Sequence, residues 1–502
     1  MIGNKYKSSW MISLLIALSL VSGCVQTDPA TEVEQPIESE VEVASQETEV
    51  AADEQIDEEQ EEEIVTFQYL DETKIDSERA MNVIRLLASE KYEGRKAGME
   101  TGKLAENCVV EMFEEIGLEA PESLNGFKQL YPQEVIYPVK ASELSIVGSD
   151  EMFEYQTDFT ERFLVGDTYF DADVTAEMVL VDKSLAYFKD ASELDGKILL
   201  MSENAFYHPK NWKTIDAFQE DGVDIEGIIV PKTTYGPGGM IVSRGLRGDD
   251  GAVFNPEDPF YMNCSKETFD KLSVAIDEGK KIKVSSDFEI IDTEPANIVG
   301  VIPGKNEDGE NETLIIGAHM DHVGNNMNGT YNPGALDNAS GVAVLIELAR
   351  IVSESEQPEN TIVFVAFNGE EDGLLGSEYF VENPPVKYEN DATKMINFDM
   401  VGSKNDVTLS IATAGESGYD MSDDIKDIAD IMDINNKKEN FGGSDHVNFA
   451  AHDIPAVMLI HYDDAYYHTH MDTPDNAISQ ERLEKVIRLG LALVDKEAYQ
   501  DN

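Results

Sequence analysis

The chain has 502 residues, which is enough for at least two domains of ordinary size. Its 100 acidic and 37 basic residues give a formal net charge of −63 at pH 7. A surface of this charge repels nucleic acid and anionic headgroups, so nucleic acid is excluded as a partner. With only Cys24, Cys108 and Cys264 in the chain, a disulfide scaffold and a cysteine-rich metal site are excluded. Cys108 and Cys264 are expected to be buried free thiols.

The N-terminus has a short basic start, an apolar run and then the residues Val21-Ser22-Gly23-Cys24. The apolar run is too short for a comfortable membrane span and is typical of a secretion signal. The segment resembles the lipobox of bacterial lipoproteins, in which the cysteine becomes the lipidated N-terminus. This resemblance implies a signal peptide over 1–23 and a secreted lipoprotein held at the cell membrane through Cys24. An uncleaved anchor is the alternative.

An acidic tether is predicted over 24–65. Between Val25 and Ile64 the chain has sixteen Asp or Glu residues and neither Lys nor Arg. Self-repelling charge with few apolar residues cannot bury enough surface to offset the entropy of ordering, so a disordered, extended segment is expected. An acidic binding tail is the alternative.

Two helices are predicted at 76–94 and 99–120, within an N-terminal part of the main domain at 66–157. Their apolar residues recur at three- and four-residue spacing, and Gly117 is expected to end the second helix.

Short strands and loops follow over 158–285, with one clear helix, "KTIDAFQEDG". The stretches "LDGKILLMSEN" and "FQEDGVDIEGIIVPKTT" resemble a protease-associated domain, a small β-rich insert of several secreted peptidases. An unclassified β-rich insertion is the alternative.

Strands and helices alternate over 286–502. Strands such as "TLIIGA", "TIVFVAF", "KMINFDM" and "PAVMLI" are interleaved with helices such as "SGVAVLIELARIVSE". This alternation predicts an α/β fold with a mixed, largely parallel sheet flanked by helices. In such sheets ligands bind outside the carboxyl ends of the strands.

Ionisable residues gather after these strands. They are His319 and Asp321 after "TLIIGA", Glu370 and Glu371 after "TIVFVAF", Asp399 in "KMINFDM" and His468 beyond "PAVMLI". The loop "GAHMDHVGNNMNGTYNPGALDNASG" adds Asp337 and contains no Lys or Arg, as expected where cations bind. Two imidazoles and three carboxylates suit zinc, with manganese or cobalt as substitutes. Five ligands are too many for one catalytic zinc and fit two ions that share a carboxylate.

A set of motifs in fixed order makes the resemblance specific. The motifs are "HMDH", "GALDNASG", "NGEED", "NFDMVG", "GGSDHVNF" and "YYHTHMDTPD". Together they resemble metallopeptidase family twenty-eight, the co-catalytic di-zinc exopeptidases, with their zinc exopeptidase fold. Secreted bacterial leucyl aminopeptidases belong to this family, and glutamate carboxypeptidases and glutaminyl cyclases are relatives.

The resemblance implies a metal-binding role for five residues. Asp337 would bridge two Zn²⁺ ions, with His319 and Asp399 completing one site and Glu371 and His468 the other. The family pattern also implies a cis peptide bond after Asp337.

Four further residues would support catalysis. Glu370 would be the general base, and Tyr467 would donate a hydrogen bond to the tetrahedral intermediate. Asp321 would fix the His319 ring, and Asp472 would support a ligand from outside the metal site. His470 is the alternative to His468 as ligand.

The resemblance implies a zinc aminopeptidase that removes N-terminal residues from peptides by metal-activated water. A carboxypeptidase, a glutaminyl cyclase-like enzyme with one zinc and a non-catalytic receptor-like relative are the alternatives. The side-chain preference, the natural substrate and the oligomeric state stay open. So do the roles of Ser444, Asp445 and His446, where helix capping and substrate contact are equal alternatives.

Overall fold

The structure is a computed structural model that describes residues 65–161, 172–188, 190–231, 259–305, 312–416, 418–463 and 465–500. The chain divides into the units Met1–Glu61 and Glu62–Asn502, and every described residue belongs to the second. The signal peptide at 1–23, with Cys24, and nearly all of the tether at 24–65 lie outside the described residues.

The strands are numbered here in chain order through the described residues. They are β1 (Lys128–Leu130), β2 (Gln133–Pro138), β3 (Glu143–Ile146), β4 (Phe159–Glu161), β5 (Asp173–Val181), β6 (Lys197–Met201), β7 (Ile225–Pro231), β8 (Phe260–Cys264), β9 (Lys281–Ser285), β10 (Phe288–Thr293), β11 (Ala296–Ile302), β12 (Thr313–His319), β13 (Thr361–Phe367), β14 (Thr393–Asp399), β15 (Leu409–Thr413), β16 (Asn436–Asn440) and β17 (Ala456–Ile460).

The α-helices are numbered in the same way. They are α1 (Ser77–Leu87), α2 (Glu100–Ile116), α3 (Glu203–Phe206), α4 (Pro209–Glu220), α5 (Lys266–Asp277), α6 (Ser340–Ser353), α7 (Leu375–Glu382), α8 (Tyr419–Ile431), α9 (His446–Ala451), α10 (Pro474–Ala477) and α11 (Gln480–Tyr499).

The larger sheet has eight strands in the order β1-β11-β13-β12-β14-β17-β15-β16. Its centre is parallel, because β12 pairs in parallel with β13 and β14, and β14 pairs in parallel with β17. β1, β11 and β15 add antiparallel pairings towards the edges. The predicted α/β class with a mixed sheet flanked by helices is therefore confirmed.

Strand β12 is buried along its whole length and β13 along all but its first residue, as their apolar sequences require. Helix α6 packs against β12, β13 and β14, and almost all its residues are buried. The same helix also contacts α1 and α11, so one apolar core joins the N-terminal helices to the strands that carry the candidate site.

Several local predictions hold. Gly117 follows α2 with a φ of 85°, a left-handed conformation that favours glycine and ends the helix. Cys108 and Cys264 are free and buried.

No helix within the described segments is both long and apolar enough to cross a membrane.

A second, seven-stranded sheet has the order β3-β9-β5-β6-β7-β8-β4 and its own apolar cores. It includes β3, which comes before residue 158, the predicted start of the insert. Strands β2 and β10 pair to form a two-stranded ribbon. In the chain, β2 comes before the strands of the seven-stranded sheet and β10 comes after them. Residues 232–258, which include part of the predicted insert, lie outside the described residues.

The smaller sheet touches the loop that runs from His319 to Asp337. The partly buried Met327 packs against the core around Leu144, and Asn328 Nδ2 donates to the carbonyl oxygen of Tyr155 at 3.2 Å.

Candidate metal centre

The parallel strands bring the candidate residues to one edge of the larger sheet. His319 is the last residue of β12 and Asp399 the last of β14. Glu370 and Glu371 follow the end of β13, and His468 lies beyond the end of β17. Because β13, β12, β14 and β17 are neighbours in that order and parallel, their carboxyl ends meet.

Asp337 lies between the two histidines. Its Oδ1 is 3.4 Å from His319 Nε2, and its Oδ2 is 3.1 Å from His468 Nε2. The two oxygens of one buried carboxylate thus face two different imidazoles, which is the arrangement that a bridging ligand requires.

The donor atoms form two groups, and Asp337 belongs to one of them. In each group, one ligand atom per residue lies within 4.8 Å of the others. The first group consists of His319, Glu370 and Asp399, and the second consists of His322, Asp337, Glu371 and His468. Glu370, which was predicted as the general base, is thus a member of the same donor group as His319 and Asp399.

The chemistry of these donors fits zinc. Asp399 Oδ1 and His468 Nε2 are buried and have no hydrogen-bond partner among the described residues. His468 Nε2 lies 3.0 Å from Glu371 Oε2, and His319 Nε2 lies 3.4 Å from Asp399 Oδ1. Nitrogen and oxygen donors converge without sulfur, as in catalytic zinc sites.

The electrostatics of the centre also favour cations. Burial lowers the pKa of His468, but the charges of Glu371 and Asp337 outweigh it and raise the pKa to about 9. Burial raises the pKa of Glu371, yet His468 brings it down to about 2. A negative potential that favours a proton on a buried imidazole favours a metal cation at the same place.

Asp472 fixes the backbone at Asp337. The amide of Leu336 donates to its Oδ1 at 2.9 Å, and the amide of Asp337 donates to its Oδ2 at 3.1 Å. Asp472 therefore holds the backbone amide of Asp337, the residue proposed from the sequence as a bridging ligand. The predicted cis peptide bond between Asp337 and Asn338 is confirmed.

Asp321 ties two loops of the site together. Its carboxylate accepts from the amides of Glu370 at 3.3 Å and Glu371 at 3.2 Å. Its Oδ1 is 3.7 Å from His319 Nδ1, longer than a hydrogen bond. Asp321 thus holds the loop of the two glutamates, a contact that the sequence did not predict, and lies beyond hydrogen-bond distance of the His319 ring that it was expected to fix.

Tyr467 lies against the second group of donors. Its ring stacks on that of His468 with centroids 3.8 Å apart and planes at 20°. It also lines a narrow apolar recess with Leu336 and Met400. His470 is exposed and belongs to neither donor group, so the geometry favours His468 as the ligand.

The segment Ser444-Asp445-His446 is fully buried beside the site. The Ser444 hydroxyl accepts from Asn397 Nδ2 at 2.8 Å, so this side chain joins a loop to β14 rather than capping α9. Burial, together with Asp321 and Asp399, raises the pKa of Asp445 to about 7 although His319 lowers it.

Two residues of the site went unnoticed in the sequence. His322 lies with Nδ1 2.8 Å from Glu371 Oε1. The sequence feature that could have revealed His322 is its position as the second histidine of "HMDH".

Arg95 is the other unnoticed residue, and it is fully buried. Its Nε donates to the carbonyl of Met320 at 2.7 Å, and its Nη2 donates to the carbonyl of Gly334 at 2.6 Å. The loop itself contains no Lys or Arg, but this buried guanidinium from another segment lies against its backbone. The guanidinium donates its hydrogen bonds to neutral backbone carbonyl oxygens. In this way Arg95, from a distant segment of the chain, stabilises the conformation of the loop.

An α/β fold in which imidazoles and carboxylates converge beyond the carboxyl ends of the strands is typical of metallopeptidases, and this protein has both features. Residues 297–494 match the family model described as Peptidase family M28. The chain is 28% identical over 331 residues to Aminopeptidase YwaD of Bacillus subtilis, across 63% of this chain and 66% of the relative. It is 37% identical over 149 residues to a probable zinc metalloprotease of Pyrenophora tritici-repentis, across 28% of this chain and 32% of the relative. The chain thus spans just under two thirds of the first relative and about a third of the second.

Solved structures show the same architecture. The aminopeptidase from Aneurinibacillus sp. strain AM-1 matches with a TM-score of 0.62 and 26% identity, over 86% of this chain and 96% of that one. The zinc aminopeptidase BSAP from Bacillus subtilis matches with a TM-score of 0.64 and 22% identity, over 88% of this chain and 98% of that one. The second likeness concerns the fold alone.

Proposed function

We propose that this protein is an extracytoplasmic di-zinc aminopeptidase that hydrolyses the N-terminal residues of peptides. The observation that carries the proposal is Asp337, whose two oxygens face His319 and His468 separately. A one-zinc enzyme would need no such shared carboxylate. The similarity to two bacterial aminopeptidases favours amino over carboxy specificity.

Five residues hold the two ions in this proposal. His319 and Asp399 complete one site, Glu371 and His468 complete the other, and Asp337 joins them. When bound, the ions supply the Lewis acidity that a hydrolytic water needs at neutral pH. Manganese or cobalt can replace zinc with the same donors.

Glu370 accepts the proton of the attacking water and returns it to the leaving amine. Burial raises the pKa of its carboxyl well above the usual range; His319 opposes this effect, whereas Glu371 and Asp399 add to it. A base that must hold a proton between two steps benefits from such an environment. The Tyr467 hydroxyl, next to His468, donates a hydrogen bond to the developing oxyanion.

Reporter peptides test this activity directly. The purified protein is expected to release a chromophore from aminoacyl reporters, to lose this activity with a zinc chelator and to regain it with added zinc. Elemental analysis is expected to find about two zinc ions per chain. Cleavage of carboxy-terminal reporters alone would identify a carboxypeptidase. Cyclisation of N-terminal glutamine with one zinc would identify a glutaminyl cyclase, and zinc binding without turnover a receptor-like protein.

The location of the enzyme is a separate part of the proposal, supported by the sequence around Cys24. A lipid on this cysteine would hold the catalytic domain outside the cell through the acidic tether at 24–65. The Cys24→Ser variant is expected to leave the membrane fraction or to remain as uncleaved precursor, with unchanged specific activity. Incorporation of a labelled fatty acid into the wild type but not the variant is the measurement, and equal labelling of both would contradict the anchor.

A further inference from the structure

His322 lies inside the candidate metal centre but has no place in the five-ligand set. It is fully buried, and its Nδ1 is 2.8 Å from Glu371 Oε1. The other oxygen of the same carboxylate, Oε2, is 3.0 Å from His468 Nε2. The two oxygens of Glu371 therefore face two different histidines.

The packing around His322 holds its ring in this orientation. Gly334 adopts a φ of 61°, and a Cβ at this position would lie 2.5 Å from His322 Cδ2. On another side, the His468 ring stands nearly perpendicular to it, with centroids 5.3 Å apart. With the ring confined in this way, its Nδ1 stays directed at Glu371.

Nδ1 of His322, which belongs to the second group of donors, makes its shortest contact with Glu371. It is 3.7 Å from Asp337 Oδ2, whereas its 2.8 Å separation from Glu371 is that of a hydrogen bond. An Nδ1–H that donates to Oε1 leaves only Oε2 of Glu371 directed at the space between His468 and Asp337. The contact thus sets which oxygen can reach a metal.

We propose that His322 is a positioning residue that restricts Glu371 to a single ligand oxygen. The inference rests on the proposed metal centre and adds to it the residue that orients one carboxylate. Partners of this kind change metal affinity by about 10- to 100-fold when they are removed.

Three substitutions separate positioning from other roles. The amide nitrogen of asparagine lies near the place of imidazole Nδ1, so His322→Asn can still donate to Glu371. In His322→Gln the donor lies one bond farther out, and His322→Ala has none. Zinc affinity, measured by competition with a chromophoric chelator, is expected to fall about 10- to 100-fold in the Ala and Gln variants. It is expected to recover to within a few-fold of wild type in the Asn variant.

Cobalt provides the second measurement, because its visible absorption reports the number and kind of ligands. The cobalt-loaded His322→Asn variant is expected to keep the wild-type spectrum, because its amide still holds one oxygen of Glu371 and no ligand is lost. His470→Ala, at an exposed histidine two residues from His468, is the matched control and is expected to bind zinc as the wild type does.

Two results would overturn the inference. Wild-type zinc affinity in His322→Ala and His322→Gln would show that the contact has no role. An Asn variant as weak as the Ala variant, with a changed cobalt spectrum, would make His322 a ligand. Neither measurement needs a peptide, so a protein that binds zinc as expected but cleaves nothing would contradict the proposed function and not this inference.

Discussion

The Glu370→Gln variant is expected to lose nearly all peptidase activity while it keeps its zinc. Glutamine has the shape of glutamate but cannot take the proton of the attacking water. Loss of a general base lowers kcat by about 10²- to 10⁴-fold. KM is expected to change little, because Glu370 acts on the water rather than on the peptide. Steady-state release of an aminoacyl chromophore, with elemental analysis of the same samples, is the measurement.

Zinc content decides between two roles for Glu370, since this side chain belongs to the donor group of His319 and Asp399. A variant that has lost zinc together with activity would make Glu370 a ligand. Wild-type turnover would remove it from the reaction altogether. Glu382→Gln, an exposed glutamate at the end of α7, is the matched control and is expected to behave as the wild type.

The candidate site could be located from the sequence because the residues of the site come at or directly after the ends of predicted strands. His319 and Asp399 are each the last residue of a parallel strand, and Glu370 comes shortly after another. The apolar strand sequences are easily recognised, and a parallel sheet places their carboxyl ends together. Fold class and the gathering of these residues could therefore be predicted before any distance was known.

The supporting contacts could not be predicted in the same way. Arg95 meets the carbonyl of Gly334 across 239 positions of the chain, and nothing in the sequence around either residue indicates the pairing. The role of His322 depends on which of several nearby carboxylates its ring faces. The packing of Met327 into the smaller sheet likewise depends on how two separate parts of the chain meet. Such contacts follow from the assembled fold and not from local pattern.

The Arg95→Met variant is expected to lose stability more than any surface substitution. Arg95 is fully buried, and its guanidinium donates to the carbonyls of Pro333 at 2.5 Å and Gly334 at 2.6 Å, as well as to that of Met320. Methionine fills a similar length but donates nothing, so several buried carbonyl oxygens would lose their partners. Each such loss costs about 1–3 kcal/mol, so the free energy of unfolding is expected to fall by about 4 kcal/mol or more.

The same substitution tests whether Arg95 braces the metal loop. Urea unfolding with and without zinc is the measurement, and zinc affinity is expected to fall together with stability, because the carbonyls of Pro333 and Gly334 lie just before Asp337. Arg95→Lys, which keeps the charge but not the planar set of donors, is expected to be intermediate. Arg85→Met is the matched control. It removes an exposed ion pair with Glu78, which is worth about 0–1 kcal/mol. A loss in Arg95→Met no larger than in Arg85→Met would show that the loop carries its own conformation, and that the buried guanidinium is not what holds Asp337 between the two histidines.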